Sequence, residues 1–240
     1  MVEETDVHFR FSSAGLREDT FLLVRLDGQE AISNTYELQI DLAAADPDVD
    51  PSQVLNQPAT VEIEHLGDVT RFQGIVSLFE QRDRGPEFTF YRAIVVPRIY
   101  VLNLTRRNRV FLDNTATQII EIVLNEAGLT TPDYYDLRTR ASCASREYTV
   151  QYGETDLAFI QRLMEYEGIF YFFEHGTERE RLIIADRPGA HLPPLTSCHP
   201  ATSAHRPDPV RHGASADHTR VASLIGPTPL FLQAVVRNRA

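Results

Sequence analysis

The sequence predicts an α+β fold in which strands dominate, arranged as antiparallel β-barrel-like subdomains with two amphipathic helices. Three observations carry this expectation. Apolar and polar residues alternate in short stretches through the first half, turn residues punctuate those stretches, and two segments of the second half switch to helical spacing between capping residues.

In the first half, Val7, Phe9 and Phe11 alternate with His8 and Arg10, which gives a strand one apolar face. Phe21 to Leu26 is a mainly apolar run, expected to end at Asp27-Gly28. Tyr36, Leu38, Ile40 and Leu42 then alternate with Glu37, Gln39 and Asp41. The stretch Asp50 to Leu55 reads as one helical turn, with Asp50 as N-cap, Pro51 at the first position and Pro58 as a stop. Val61 and Ile63 alternate with Glu62 and Glu64. Phe72 to Phe79 contains Gly74, where a bulge or sharp bend is expected. Phe88 to Val96 follows a turn at Arg84-Gly85-Pro86.

The second half holds the helices. Thr115 and Gln118 form a capping box, Ile119, Ile120, Val123, Leu124 and Ala127 recur at helical spacing, and Gly128 stands where a C-terminal cap belongs. A second helix is expected from Thr155 to Glu167. Leu157, Ile160, Leu163 and Met164 line one face, Asp156 meets the N-terminal dipole and Gly168 closes it. Strands flank it at Glu147–Tyr152, Ile169–Phe173 and Leu182–Ala185.

Composition changes near Thr196. Residues 1–195 hold 18 Arg against 32 acidic residues, whereas residues 196–240 hold five Arg against two Asp, together with four of the eight histidines. Such a shift marks a boundary. The expected organisation is a first β-barrel-like subdomain at 1–112, a second α+β subdomain at 113–195, and a low-order tail at 196–240 that resembles the product of a shifted reading frame.

Charge and composition exclude several classes. The formal net charge of −11 argues against a phosphate-binding surface. All the basic residues are arginine, so lysine Schiff-base and P-loop chemistry are absent. The most apolar run, Ile169 to Phe173, is far short of the ~20 residues of a spanning helix. The acidic N-terminus is unlike a signal peptide, and synthesis in the cytoplasm is expected. Cys143 and Cys198 do not amount to a disulfide framework.

Candidate chemistry is weak. Glu154 and Asp156 open a helix and read as capping carboxylates. Glu165 and Glu167 flank Tyr166 and read as solvated. Cys143 with His175 lacks the flanking signature of a nucleophile and base. Arg106, Arg107 and Arg109 read as a turn cluster bound to protein carboxylates. His199, His205, His212 and His218 are spaced six or seven apart, unlike metal ligands of helices or fingers. No catalytic, cofactor-binding or metal-binding residue is therefore assigned, and no cofactor is expected.

Six ordered blocks carry a family resemblance. They are Tyr36-Glu-Leu-Gln-Ile-Asp-Leu42, Leu55-Asn-Gln-Pro-Ala-Thr-Val61, Phe72-Gln-Gly-Ile-Val-Ser-Leu-Phe-Glu80, the stretch Val96 to Leu112, the helix Ile119 to Leu124 and the stretch Arg146 to His175. In this order they resemble the N-terminal region of the VgrG family, the spike proteins of type VI secretion, over roughly residues 7–195. The resemblance implies a phage-tail-hub-like structural component with no enzymatic activity. It further implies a homotrimeric head docked on an Hcp-type tube, contacts with baseplate components and effectors, and export as part of the spike. Neither nucleic acid nor membrane insertion is implied. The family continues into an OB-like domain and a Val/Gly-rich β-helix. Neither is visible in this sequence, so a head without its needle is expected. A contractile phage tail or tailocin hub shares the fold. Tyr148 to Leu157 also resembles the opening of a LysM glycan-binding repeat, which leaves peptidoglycan recognition as an alternative of another class.

Overall fold

A computed structural model describes residues 7–139, 143–187 and 230–235. The first part of the chain forms β1 (Val7–Ser13), β2 (Leu22–Glu30), β3 (Glu37–Ala44), β4 (Pro58–His65), β5 (Asp68–Arg84) and β6 (Thr89–Val96). The second part forms β7 (Arg106–Asn114), α1 (Ala116–Glu126), β8 (Tyr135–Arg138), β9 (Arg146–Thr155), α2 (Asp156–Glu167), β10 (Phe170–His175) and β11 (Glu180–Ala185). A last strand, β12, spans Leu230–Val235.

The period-2 pattern does in space what the spacing requires. In β3 the side chains of Leu38, Ile40 and Leu42 are buried while Glu37 and Gln39 are exposed. β1 to β6 and β12 form one antiparallel sheet in the order β1-β4-β5-β6-β3-β2-β12. A tight turn joins β4 to β5 through Leu66 and Gly67, both at positive φ (52° and 86°). The sheet curls. Phe11 on β1 meets Phe21, just ahead of β2, with ring centroids 5.9 Å apart, although four strands separate β1 from β2 in the ladder. Phe21 also meets Phe79 and Tyr91 edge-on at 5.8 and 5.7 Å, which fills the concave side.

Two glycines act differently from their expected roles. β2 does not stop at Asp27-Gly28 but runs on to Glu30. A Cβ on Gly28 would sit 2.4 Å from Leu38 Cδ2, so this glycine lets β3 pack closely. Gly74 keeps regular register with Ala59, and a Cβ there would sit 2.3 Å from the Val96 carbonyl oxygen. The register shifts of β5 against β6 lie instead between Val76 and Leu78 and between Gln81 and Arg84.

The expected helical turn is present as a 3-10 turn at Pro51–Gln53, where the Asp50 side chain accepts from the Ser52 N–H. Both helices end as their caps dictate. The Thr115–Gln118 capping box is made in both directions, and the Thr155 hydroxyl accepts from the Ala158 N–H at the start of α2. Gly168 closes α2 in the left-handed region at φ 69°.

Hydrogen bonding in the second part departs from sequence order. β10, β11 and β8 form a three-stranded sheet in which β11 and β8 run parallel. β7 and β9 form a separate antiparallel ladder. The expected boundary at residue 112 falls inside β7. One continuous buried core nonetheless runs through both parts. Tyr36 meets Phe173 at 5.0 Å and Phe72 meets His175 at 5.1 Å where they join.

Of the expected tail, Leu230–Val235 is described, as the edge strand paired with β2. The four histidines His199, His205, His212 and His218 lie outside the described residues, as does Cys198. Among the described residues no helix is long and apolar enough to cross a membrane.

Candidate functional site

The β7–β9 ladder has two unlike faces. Outward, Val110 stands opposite Val150, Leu112 opposite Tyr148, and Asn108 opposite Tyr152. Val110, Leu112, Tyr148, Val150 and Tyr152 are 58%, 64%, 65%, 43% and 83% exposed. At the end of this face Arg146 is paired with Glu167 (2.5 Å) and lies over the Tyr166 ring. Gly153, at φ 63°, is the extra residue where the register shifts, and its N–H donates to Asn108 Oδ1 at 2.7 Å. That fixes the end of the ladder where Tyr152 projects.

The inward face is polar at one end and aromatic at the other. Phe111 stacks on Phe159 of α2 at 5.6 Å. Beside it, Arg107 and Arg109 meet the buried carboxylate of Asp156 at 3.2 and 3.3 Å. Gln151 Nε2 donates to the same carboxylate at 2.8 Å, and Arg109 Nε donates to Gln151 Oε1 at 2.7 Å. Both guanidinium groups also bond Glu126 at the end of α1. Burying a carboxylate is costly unless it is paired and hydrogen-bonded, and these partners come from β7 and β9. The network therefore fastens the ladder to both helices.

A second polar cluster lies where the two parts of the chain join. The Gln73 N–H donates to His175 Nδ1 at 3.2 Å, so the proton of a neutral imidazole sits on Nε2, 3.5 Å from Glu30. The Arg98 N–H donates to the buried Glu180 at 2.8 Å, and the Ile99 N–H donates to Tyr134 Oη at 2.8 Å. The Ser33 N–H donates to the Tyr171 carbonyl at 2.8 Å. Burial pushes the Glu180 carboxyl above the ordinary glutamate range, against the Arg98 N–H that lowers it. Burial also pushes the Tyr171 phenol up to about 12, and Tyr36 and Tyr134 well above the ordinary tyrosine value. The three phenols keep their protons near neutrality.

The residues singled out in the sequence are dispersed. Asp156 sits in the first turn of α2, as expected, and its three side-chain partners make it a fastening as well. Glu154 pairs with Arg162 at 2.6 Å. Arg107 and Arg109 do bind protein carboxylates, but from a strand rather than a turn, and Arg106 bonds the Gly153 carbonyl. Glu165 is exposed, while Glu167 is not solvated as expected, because Arg146 claims it. Burial raises the Cys143 thiol, with Glu167 adding to it, whereas His175 is engaged by β5, so the two form no nucleophile–base pair. Gln73 and Glu180 carried no signal in the sequence beyond a polar residue within an apolar strand. Among the described residues, no group of three or more His, Cys, Asp or Glu is placed to hold a metal ion.

A family model of phage tail baseplate hub proteins (GPD) matches residues 29–224. The chain belongs to the phage tail baseplate hub family. By sequence this hub-family chain is 34% identical over 196 residues to the type VI secretion system spike protein VgrG1a of Pseudomonas aeruginosa, covering 80% of this chain and 30% of that protein. It is 33% identical over 180 residues to VgrG1b of the same organism, covering 75% and 24%. The chain thus spans less than a third of the length of these curated relatives. An Escherichia coli component of the type VI secretion system, described as similar to the T4 bacteriophage tail proteins gp27 and gp5, shares its fold. The TM-score is 0.71 at 22% identity over 78% of this chain and 53% of the other. The strand-dominated hub fold expected from sequence is the one observed.

Proposed function

We propose that the chain is a head segment of a type VI secretion spike, a structural hub that works by shape and contact and not by turnover. In this reading it associates as a homotrimer, docks on the hexameric Hcp-type tube, and meets baseplate components and effectors there. It is made in the cytoplasm and leaves the cell as part of the spike. The observation that carries the reading is the curled seven-stranded sheet joined through one core to a helix-backed ladder, in a chain of the hub family. Rigid joined layers suit an adaptor between three-fold and six-fold rings, where closure of a ring depends on fixed angles between contact surfaces. The relatives by sequence are spike proteins.

The test is co-sedimentation of the full chain with the hexameric tube protein of the same secretion system. Binding that saturates at three chains per ring end supports the reading. Absence of binding at concentrations where tubes form, or sedimentation with the tail tube of a contractile phage instead, overturns it.

A further inference from the structure

The outward face of the β7–β9 ladder exposes more apolar surface than isolated side chains would explain. At their stated exposures its five apolar residues present on the order of 500–600 Å², near the upper end for the largest patch on a monomer. A standard interface covers about 800 Å² per partner, so this face with a polar rim supplies most of one side.

We propose that this face is covered by a different surface of a second copy of the chain, as closure of a three-fold ring requires, and is one side of the contact through which hub subunits meet. The proposal rests on the hub reading and locates the contact that it requires. Three observations favour a second copy. The chain carries a formal net charge of −11, so copies repel wherever their acidic surfaces approach. Asn108, Val110, Leu112, Tyr148, Val150 and Tyr152 carry no charge, and Arg146 at the end of the face is already paired with Glu167. Charge depletion with exposed tyrosine is the composition of an interface centre. Next, the Arg107–Arg109–Asp156–Gln151 network holds the ladder in place from behind, so little ordering is needed on contact. Finally, within the described sheets the ladder contains only these two strands, which leaves an outer backbone edge on each for a neighbouring strand.

The experiment compares the full chain with Val110→Glu, Tyr152→Ser and, as a control, Leu66→Glu at the exposed β4–β5 turn. Sedimentation velocity over a concentration series reads association, and far-UV circular dichroism checks folding. The wild type and L66E are expected to associate alike. V110E and Y152S are expected to raise the dissociation constant at least tenfold, roughly the loss of one central anchor. Face variants that associate as the wild type does overturn the proposal, while tube co-sedimentation still judges the hub reading separately. A wild type that remains monomeric throughout overturns self-association altogether. Binding to purified peptidoglycan sacculi that Y152S abolishes, with association unchanged, assigns the face to glycan and overturns the proposal.

Discussion

Replacing Asp156 by alanine removes the group on which β7, β9 and α2 converge. The carboxylate is 3% exposed and faces Arg107 at 3.2 Å, Arg109 at 3.3 Å and Gln151 at 2.8 Å. Deleting one partner of a buried ion pair costs about 3–5 kcal/mol when the remaining charge has no other partner. Here both guanidinium groups keep Glu126, and Gln151 keeps the Glu154 carbonyl, so the stranded charge is partly compensated. The loss is then about 2–3 kcal/mol, including roughly 0.5 kcal/mol from the acid removed at the α2 N-terminus. For a chain of this size that corresponds to a fall in Tm of about 5–10 °C. Urea unfolding followed by circular dichroism measures it, with Glu154→Ala as a comparison. Glu154 pairs with Arg162, whose side chain is half exposed, and its loss is expected to cost less than about 1 kcal/mol. A D156A chain within about 0.5 kcal/mol of the wild type refutes the idea that this network fastens the ladder.

Two further outcomes follow from the packing and the charges. Gly74→Ala places a Cβ 2.3 Å from the Val96 carbonyl oxygen, so β5 and β6 must separate, at about 3 kcal/mol in urea unfolding; an unchanged midpoint contradicts the close approach. Glu180→Gln is expected to gain stability relative to the wild type as pH rises. Burial raises the folded-state pKa of Glu180, so the native chain holds that proton more tightly than the unfolded chain, and this contribution is lost as pH climbs from the unfolded value through the raised one. The difference between E180Q and wild type, measured from about pH 4 to about pH 7, should move towards the variant; a constant difference refutes the assignment.

The elements legible in the sequence were those with local signals. β1 and β3 alternate strictly, and α1 and α2 carry both an apolar stripe and a residue-specific cap at their starts. β7 escaped detection because its pattern is inverted. Arg107 and Arg109 face inward to Asp156 and Glu126, while Val110 and Leu112 face outward. Alternation alone cannot say which set is buried when the core-facing residues are charged and satisfied by partners distant in sequence. β8 is four residues long and pairs in parallel with β11, a contact with no hairpin to announce it. The roles of Gly28 and Gly74 are illegible in the sequence for a related reason. A glycine needed for close approach looks the same in sequence as one needed for a turn. The apolar residues of the candidate surface were all visible in the sequence, but their gathering on one side required the register of β7 against β9.

The cluster where the two parts meet has a mechanical consequence. Backbone donors at Ser33, Gln73, Arg98 and Ile99 each engage one acceptor on the second part, and these acceptors are spread over Tyr134, Tyr171, His175 and Glu180. Spread anchorages of this sort resist twisting and sliding together, since no single bond serves as a pivot and all four must rupture for the parts to shear. A push delivered to one part would travel to the other as through a welded bracket, with little of the stroke absorbed by bending.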